Sequence, residues 1–110
     1  MQPAVVQIEG LPDAPLDAAA AFYRDHLPRA REALGEAELL VLVFAPAGHE
    51  HRAWRLSAVQ ELAREAAPKR VNGIARSDAA AIAESIAYLA AAPGVTGQLL
   101  AVDGKRGEMA

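Results

Sequence analysis

The segment Leu39–Phe44 constrains the fold more than any other part of this chain, because it is six apolar residues in a row with no polar position between them. A strand that faces water on one side alternates with a period of two, whereas a strand covered on both faces of a parallel sheet is apolar throughout. We therefore predict that Leu39–Phe44 is an inner strand of a parallel sheet. Parallel neighbours need long crossover connections, which are usually helices.

Three other short segments have the composition of strands. They are rich in β-branched and aliphatic residues and are bounded nearby by glycine, proline or aspartate. They are Ala4–Ile8, Val71–Ala75 and Gln98–Val102, the last followed by an Asp-Gly turn at Asp103.

Helical patterns fill the first two gaps between these strands. From Asp17, a predicted N-cap, apolar residues recur in steps of three and four as far as Gly35, a predicted C-cap. Pro28 lies inside this helix and is expected to bend or divide it, since proline removes one backbone donor. After a predicted loop at residues 45–52, a second apolar helix face extends from Leu56 to Ala66.

A third helix is predicted from about Ala79 to Ala92, with Ser77 or Asp78 as its cap. Strands and helices thus alternate along the chain, which predicts an α/β fold with an open parallel sheet of about four strands and three helices, in two or three layers. The 110 residues fit a single domain. We expect right-handed crossovers throughout.

Right-handed crossovers that all run in one direction would cover one face of the sheet better than the other and would leave two strand edges bare. Self-association is the simplest way to cover them, so we expect a homodimer. The expected contacts are Ala4–Ile8 and the apolar faces around Tyr23 and Leu62.

Charge, cysteine content and hydropathy exclude several classes of function. The net charge is −3 and the arginines are scattered, so the basic patch that drives nucleic-acid binding is missing and no nucleic-acid partner is expected. There is no cysteine, which excludes disulfides, thiolate metal sites and a thiol nucleophile. The longest apolar run, Leu39–Ala47, is far shorter than the ~20 residues that span a bilayer. The first residues resemble no signal peptide, so we expect a cytoplasmic protein with no membrane partner.

The loops that follow the first two predicted strands are the best place for a ligand site. Ligands of open α/β sheets bind outside the carboxyl ends of the strands, and both loops leave such ends. The candidate residues are Gly10 and Asp13 in the first loop and Gly48, His49, His51 and Arg52 in the second.

Metal binding is an alternative interpretation of the second loop, since the imidazoles and carboxylate of His49-Glu50-His51 are common zinc ligands. A hydrolase or other metal-dependent enzyme would follow from that interpretation. The spacing is unspecific and no third protein ligand lies nearby in sequence, so we expect a solvated polar loop and no metal.

The chain resembles the C-terminal part of the short-chain dehydrogenase/reductase family, over RVNGIA at residues 70–75 and IAESIAYLAAAPGVTGQLLAVDG at residues 82–104. LAREAAP at residues 62–68 is also similar to the end of the family's active-site helix. More loosely, AVVQIEG at residues 4–10 and LLVLVFAPA at residues 39–47 are similar to two earlier strands of the family. The resemblance implies a single, truncated, half-Rossmann-like domain that corresponds to the second half of such an enzyme.

Several departures from the family pattern remove parts of its reaction. The glycine-rich turn that holds the dinucleotide phosphates is missing. The family's catalytic tyrosine would fall on Gly48 and its lysine on Arg52, while Phe44–Ala47 contains no serine. After RVNGIA the family's Pro-Gly becomes Arg76-Ser77. We therefore expect no catalytic residue and no bound cofactor.

These observations favour a non-catalytic homodimer that serves as an interaction or small-ligand-binding module, with an unknown small molecule or protein as partner. The alternative is an NAD(P)-dependent oxidoreductase whose cofactor site is unusual or is completed by a partner chain.

Overall fold

Among residues 2–100, four parallel strands form the central sheet. The structure is a computed structural model and describes residues 2–100. The strands are ordered β1-β2-β3-β4 across the sheet, so the predicted α/β fold with an open parallel sheet is confirmed. The strands are β1 (Ala4–Ile8), β2 (Leu39–Phe44), β3 (Arg70–Ala75) and β4 (Leu99–Leu100). Val102, where we predicted the last strand to end, and the Asp103 turn lie outside the described residues.

In the described residues, four α-helices connect the strands: α1 (Pro15–Ala21), α2 (Leu27–Leu34), α3 (Arg52–Ala66) and α4 (Ala79–Ala90). A π-helical turn, Phe22–His26, joins α1 to α2, so the first predicted helix is divided in two. Within the described part of the chain, no helix has the length and apolar character needed to cross a membrane.

The division occurs at the predicted proline. Pro28 occupies the first turn of α2, and the N–H of Leu27 donates to the carbonyl of Phe22, five residues earlier. Because a proline ring collides with the carbonyl four residues before it, the wider π turn relieves that collision. The predicted N-cap is wrong, however: α1 begins at Pro15, and Asp17 lies in its first turn.

The start of α3 also differs from the prediction, while the start of α4 agrees with it. The predicted loop ends early because His49–His51 forms a 3₁₀ turn that continues into α3 at Arg52. At α4 the carboxylate of Asp78 accepts a hydrogen bond from the N–H of Ala81 at 2.9 Å. This is the geometry of an N-cap, and the prediction of Asp78 as a cap is confirmed.

The sheet is covered on both faces, so the fold has three layers. Alternate residues of β2 point to opposite sides, and every residue of the strand is buried. Leu40, Leu42 and Phe44 pack in one cluster with residues of α2 and α3, whereas Leu39, Val41 and Val43 pack in a second cluster with Leu89 of α4.

The position of α4 overturns the expectation that all crossovers have the same hand. Each of the three connections leads to the next strand in the same direction across the parallel sheet. Connections whose helices lie on the same face of the sheet would therefore be crossovers of the same handedness. Since α4 lies on the opposite face from α3, its crossover has the opposite hand. The physical reason is that β2 is apolar on both faces, and without α4 three of its side chains would lie open to water.

The junction between β3 and β4 is held by side chains of the RVN segment. The side-chain amide of Asn72 donates from Nδ2 to the carbonyl of Val95 at 3.0 Å and accepts at Oδ1 from the N–H of Gln98 at 3.0 Å. Asn72 has no exposed surface. Its amide therefore satisfies two backbone groups of the connection that leads into β4.

Neighbouring residues strengthen the same junction. The Nη1 atom of Arg70 lies 3.0, 2.9 and 3.1 Å from the carbonyl oxygens of Leu89, Ala92 and Val95 at the end of α4. The N–H of Gly97, a residue at φ +74°, donates to the carbonyl of Val71 at 2.8 Å. The family-like residues of this half are thus structural: they fix the last helix and strand to β3.

Candidate functional site

A cavity of about 180 Å³ lies at the carboxyl ends of β1 and β2. Because these strands are parallel neighbours, the loops that follow them meet at one edge of the sheet. The cavity is lined from both loops and from the start of α3, including Gly10, Asp13, His51 and Arg55. This is where open α/β sheets place their ligands.

The loop after β1 is fixed at both ends by histidines. The Nε2 atom of His26 lies 3.2 Å from the carbonyl oxygen of Glu9, and Nε2 of His51 lies 2.9 Å from that of Asp13. Between them Gly10 adopts φ +76°, a left-handed conformation that favours glycine. The cavity wall formed by this loop is therefore held in place by hydrogen bonds.

His51 is buried and holds neighbouring parts of the protein together through its ring nitrogens. It is only 6% exposed, and the indole N–H of Trp54 donates to its Nδ1 at 3.0 Å. Since an indole nitrogen can only donate, Nδ1 accepts, and Nε2–H donates to the carbonyl of Asp13. Both ring nitrogens are thus used, which differs from the solvated loop that we expected here.

The other predicted residues of this loop lie elsewhere. Gly48, His49 and Arg52 are exposed and do not line the cavity, because the 3₁₀ turn directs the chain outward before α3 begins. In residues 2–100 the structure has no group of three or more His, Cys, Asp or Glu side chains that could hold a metal ion. The structure therefore brings together Gly10, Asp13 and His51 of the six predicted positions.

Arg55 is the charged residue of the cavity that sequence reasoning missed. It is 7% exposed, its Nη1 donates to the carbonyl of Ala45 at 2.9 Å, and its guanidinium carbon lies 4.7 Å from the ring centroid of Phe44. Within residues 2–100, its buried Nε has no hydrogen-bond partner. Burial lowers the pKa of the Arg55 guanidinium, since desolvation disfavours the charged form.

A signal for Arg55 was present in the sequence. Positions 55, 58, 59 and 62 have the spacing of one helix face, and Ala58, Val59 and Leu62 are all buried. A charged residue in line with such an apolar face is rarely buried without a partner. Arg55 interrupts the face at its N-terminal end, close to the carboxyl edge of the sheet.

Tyr23 does not have the properties of the family's catalytic tyrosine. Burial and, to a smaller extent, the nearby charge of Glu61 raise its pKa, whereas the family's tyrosine acts with a pKa lowered by lysine. The Tyr23 ring instead packs edge-on against Phe22 at 5.3 Å between centroids.

The dinucleotide that the family resemblance implies does not fit these residues. Ligand pockets usually have volumes of roughly 300–1,000 Å³, and this cavity has about 180 Å³. A Rossmann fold holds pyrophosphate on a helix N-terminus that follows a glycine-rich turn. Here α1 starts with Pro15, which lacks an N–H, and the loop before it has a single glycine, Gly10. The glycine-rich turn that brings the backbone close to a pyrophosphate is therefore missing from this loop, and the first turn of α1 has one backbone donor fewer.

Comparison with known proteins agrees with the fold and with the β3–α4–β4 motif. A family model described as SDR-like, short chain dehydrogenase-like protein, matches residues 6–102. No curated protein and no solved structure matches the chain. Since the family model covers nearly the whole sequence and the parallel sheet has the architecture that the resemblance implies, the chain belongs to the SDR-like family of short chain dehydrogenase-like proteins.

Proposed function

We propose that this SDR-like chain is a non-catalytic cytoplasmic homodimer that binds a small ligand in the cavity at the carboxyl ends of β1 and β2. The observation that carries this proposal is Arg55, a buried guanidinium that lines the cavity and whose Nε has no partner within residues 2–100. Burying an ion costs several kcal/mol unless a counter-charge and hydrogen bonds compensate. An anionic ligand would supply both.

The other ionisable side chains of the cavity support binding rather than catalysis. They are Glu9, Asp13 and His51. His51 already uses both ring nitrogens within the protein, so it is not free to move a proton. The positions that correspond to the family's tyrosine and lysine, Gly48 and Arg52, lie outside the cavity lining.

Titration experiments test the ligand-binding part of the proposal. The ¹⁵N-labelled protein is titrated with small organic anions, with NADH and with NADPH, while the Nε–H resonance of Arg55 and the melting temperature are followed. We expect small anions to shift the Arg55 resonance, and we expect neither nucleotide to change either readout at millimolar concentration. Binding of a nucleotide, or reduction of a carbonyl compound with NADPH, would contradict the non-catalytic proposal.

The proposed dimer contact is the groove between the Phe22–Leu34 segment and α3. Its volume is about 390 Å³, and it has an apolar floor and a charged rim. Tyr23 is 43% exposed there, whereas Leu62 of the floor is buried. The rim carries two arginines and two glutamates: Arg31, Arg64, Glu61 and Glu65. These side chains pair within the protein, Arg31 with Glu65 and Arg64 with Glu61. A two-fold dimer places each surface against its own copy, and a rim with equal numbers of both signs has no net charge that would oppose this contact.

The edge of β1 is a poorer contact surface. Arg29 donates to the carbonyl of Gln7 at 3.3 Å, and His26 binds that of Glu9. Carbonyls two residues apart point to the same side of a strand, so side chains already cover this part of the edge. Such cover is a common protection against edge-to-edge pairing. It also disfavours the alternative oxidoreductase, because a partner chain that supplied the missing half would have to extend the sheet beside β1.

Analytical ultracentrifugation with two variants distinguishes these surfaces. We expect a dimer at micromolar concentration, dissociation in Tyr23→Lys, and no change in the matched variant Val5→Lys on the exposed part of β1. A wild-type monomer at that concentration would overturn the homodimer. Dissociation of Val5→Lys but not Tyr23→Lys would assign the contact to the sheet edge instead.

A further inference from the structure

The charges around the cavity restrict the ligand class, provided that the proposed function holds. We propose that the ligand is a small zwitterion, an amino carboxylate whose carboxylate binds the guanidinium of Arg55 and whose ammonium group lies beside the carboxylates of Asp13 and Glu9. All three residues line the cavity. None of the ion pairs among residues 2–100 involves any of them.

The charged residues that line the cavity differ in how deeply they are buried. Arg55 is 7% exposed, whereas Glu9 and Asp13 are exposed residues. Arg55 is therefore the buried charge of the lining, and the two carboxylates are its exposed charges. Nε of Arg55 is itself buried from solvent, so a ligand carboxylate would bind the guanidinium through its other N–H groups, with its ammonium group beside the exposed carboxylates.

The same balance of charge disfavours a simple anion. With His51 neutral, as its hydrogen bonds require, one arginine and two carboxylates give the lining a formal charge of +1 − 2 = −1. A phosphate dianion would add two negative charges to that lining, and like charges a few ångströms apart repel. A zwitterion adds no net charge and places each of its groups beside the opposite sign.

The size of the cavity limits the ligand further. About 180 Å³ corresponds to roughly six water molecules at ~30 Å³ each. A single small amino acid fits in this space, whereas a dinucleotide does not. The ligand class is thus a small amino acid or ω-amino acid, for which alanine and β-alanine are the simplest probes.

Matched pairs of probes isolate the ammonium group. Lactate differs from alanine only by a hydroxyl in place of the ammonium group, and 3-hydroxypropionate differs from β-alanine in the same way. We titrate all four compounds, and inorganic phosphate, against the Nε–H resonance of Arg55. At least one amino acid is expected to bind about tenfold more tightly than its hydroxy acid, a ratio that corresponds to about 1.4 kcal/mol, and phosphate is expected to bind more weakly than either.

Three variants test the assigned roles. Asp13→Asn combined with Glu9→Gln is expected to remove the tenfold preference while carboxylate binding persists. Arg55→Met is expected to abolish binding of both the amino acid and its hydroxy acid. Binding to this variant is measured by the melting temperature and by backbone amide resonances. Arg24→Gln, an exposed arginine paired with Asp25 that lines neither the cavity nor the proposed dimer groove, is the control and is expected to bind like wild type. If Arg55→Met does not fold, Arg55→Lys and the carboxylate variant still decide the question.

The outcomes separate this inference from the proposed function. Equal binding of amino acid and hydroxy acid in both pairs, or tightest binding of phosphate, would overturn the zwitterion while small-ligand binding stands. An ammonium preference that survives Asp13→Asn with Glu9→Gln would also overturn it. If no compound shifts the Arg55 resonance at concentrations near 100 mM, both the zwitterion and the ligand-binding function are wrong.

Discussion

The two halves of the molecule differ in how closely they follow the family pattern. In β3–α4–β4 the family-like residues Arg70, Asn72 and Gly97 all hydrogen-bond to the backbone and hold the last helix and strand in place. Around β1 and β2 the resemblance is looser, and a small cavity lined by Arg55 lies at the ends of these strands. The comparison teaches that the closest part of the resemblance is carried by residues with structural roles.

The largest expected effect is the loss of stability when Asn72 in the C-terminal half is replaced. Asn72→Ala leaves the N–H of Gln98 without its partner and leaves the carbonyl of Val95 with Arg70 as its remaining donor. An unsatisfied buried group costs about 1–3 kcal/mol, and a lost hydrogen bond costs about 1 kcal/mol more. We expect the free energy of unfolding in urea to fall by about 3 kcal/mol. Gln98→Ala is the control, because only the backbone of Gln98 binds Asn72. A loss below about 1 kcal/mol would show that the amide is dispensable.

A smaller loss is expected when the end of α4 is released from β3. Arg70→Met removes the charged donor from the carbonyls of Leu89, Ala92 and Val95. Hydrogen bonds to charged groups contribute about 1.5–3 kcal/mol, so we expect a loss of about 2 kcal/mol and faster amide exchange in the last turn of α4. Arg24→Met, outside the proposed dimer groove, is the matched surface control. Unchanged exchange in that turn would contradict the proposed contact.

The same substitution at two glycines, one in each half, allows a direct comparison of the two halves. Gly10 and Gly97 have φ +76° and +74°, and an added Cβ would meet nothing closer than 3.8 Å at either position. Gly→Ala should therefore cost about 1 kcal/mol at each, from the backbone alone. Only Gly10→Ala should also weaken ligand binding, because Gly10 lines the cavity. Urea unfolding and the Arg55 titration measure the two effects, and equal binding losses would contradict the comparison.

The smallest expected effect concerns the exposed ion pair between Arg31 and Glu65, with oxygen–nitrogen distances of 2.8 Å. The Arg31 guanidinium lowers the pKa of Glu65. The ion pair therefore contributes to stability above the pKa of Glu65 in the unfolded chain, about 4.3. This contribution is lost as the pH falls through the lower pKa that Glu65 has in the folded protein. Glu65→Gln should lower the melting temperature slightly near pH 7, and the difference from wild type should disappear as the pH falls through the lowered pKa of Glu65. The control is Glu32→Gln, and a similar shift there would argue against the pair.

Most of the fold followed from local patterns, because the apolar run of β2 and the spacing of the helix faces are local properties of the sequence. The face on which α4 packs did not follow from them. Periodicity shows that Ile82, Ile86 and Leu89 share one side of a helix, but it does not tell which side of the sheet that helix covers. The observed side depends on Leu39, Val41 and Val43, which are distant in sequence.

The sequence indicated where a cavity lies better than it indicated which residues line it, and whether the cavity binds a ligand stays a prediction. The rule on carboxyl ends of strands led to the two loops, and Gly10, Asp13 and His51 do line one cavity. Arg55 was missed because a charged residue at the start of an amphipathic helix is normally solvated. Its burial depends on Phe44 and Ala45, contacts that appear only once α3 packs against the end of β2.

The hydrogen bonds at residues 95–98 also determine the length that this connection must have. Leu99 belongs to the cluster on one side of the sheet and Leu100 packs against the cluster on the other. Inserting or deleting a single residue ahead of them would exchange their sides, because strand side chains alternate with a period of two. Natural variation in chain length should therefore be rare between Val95 and Gln98, and should occur instead in the exposed turn around Gly48.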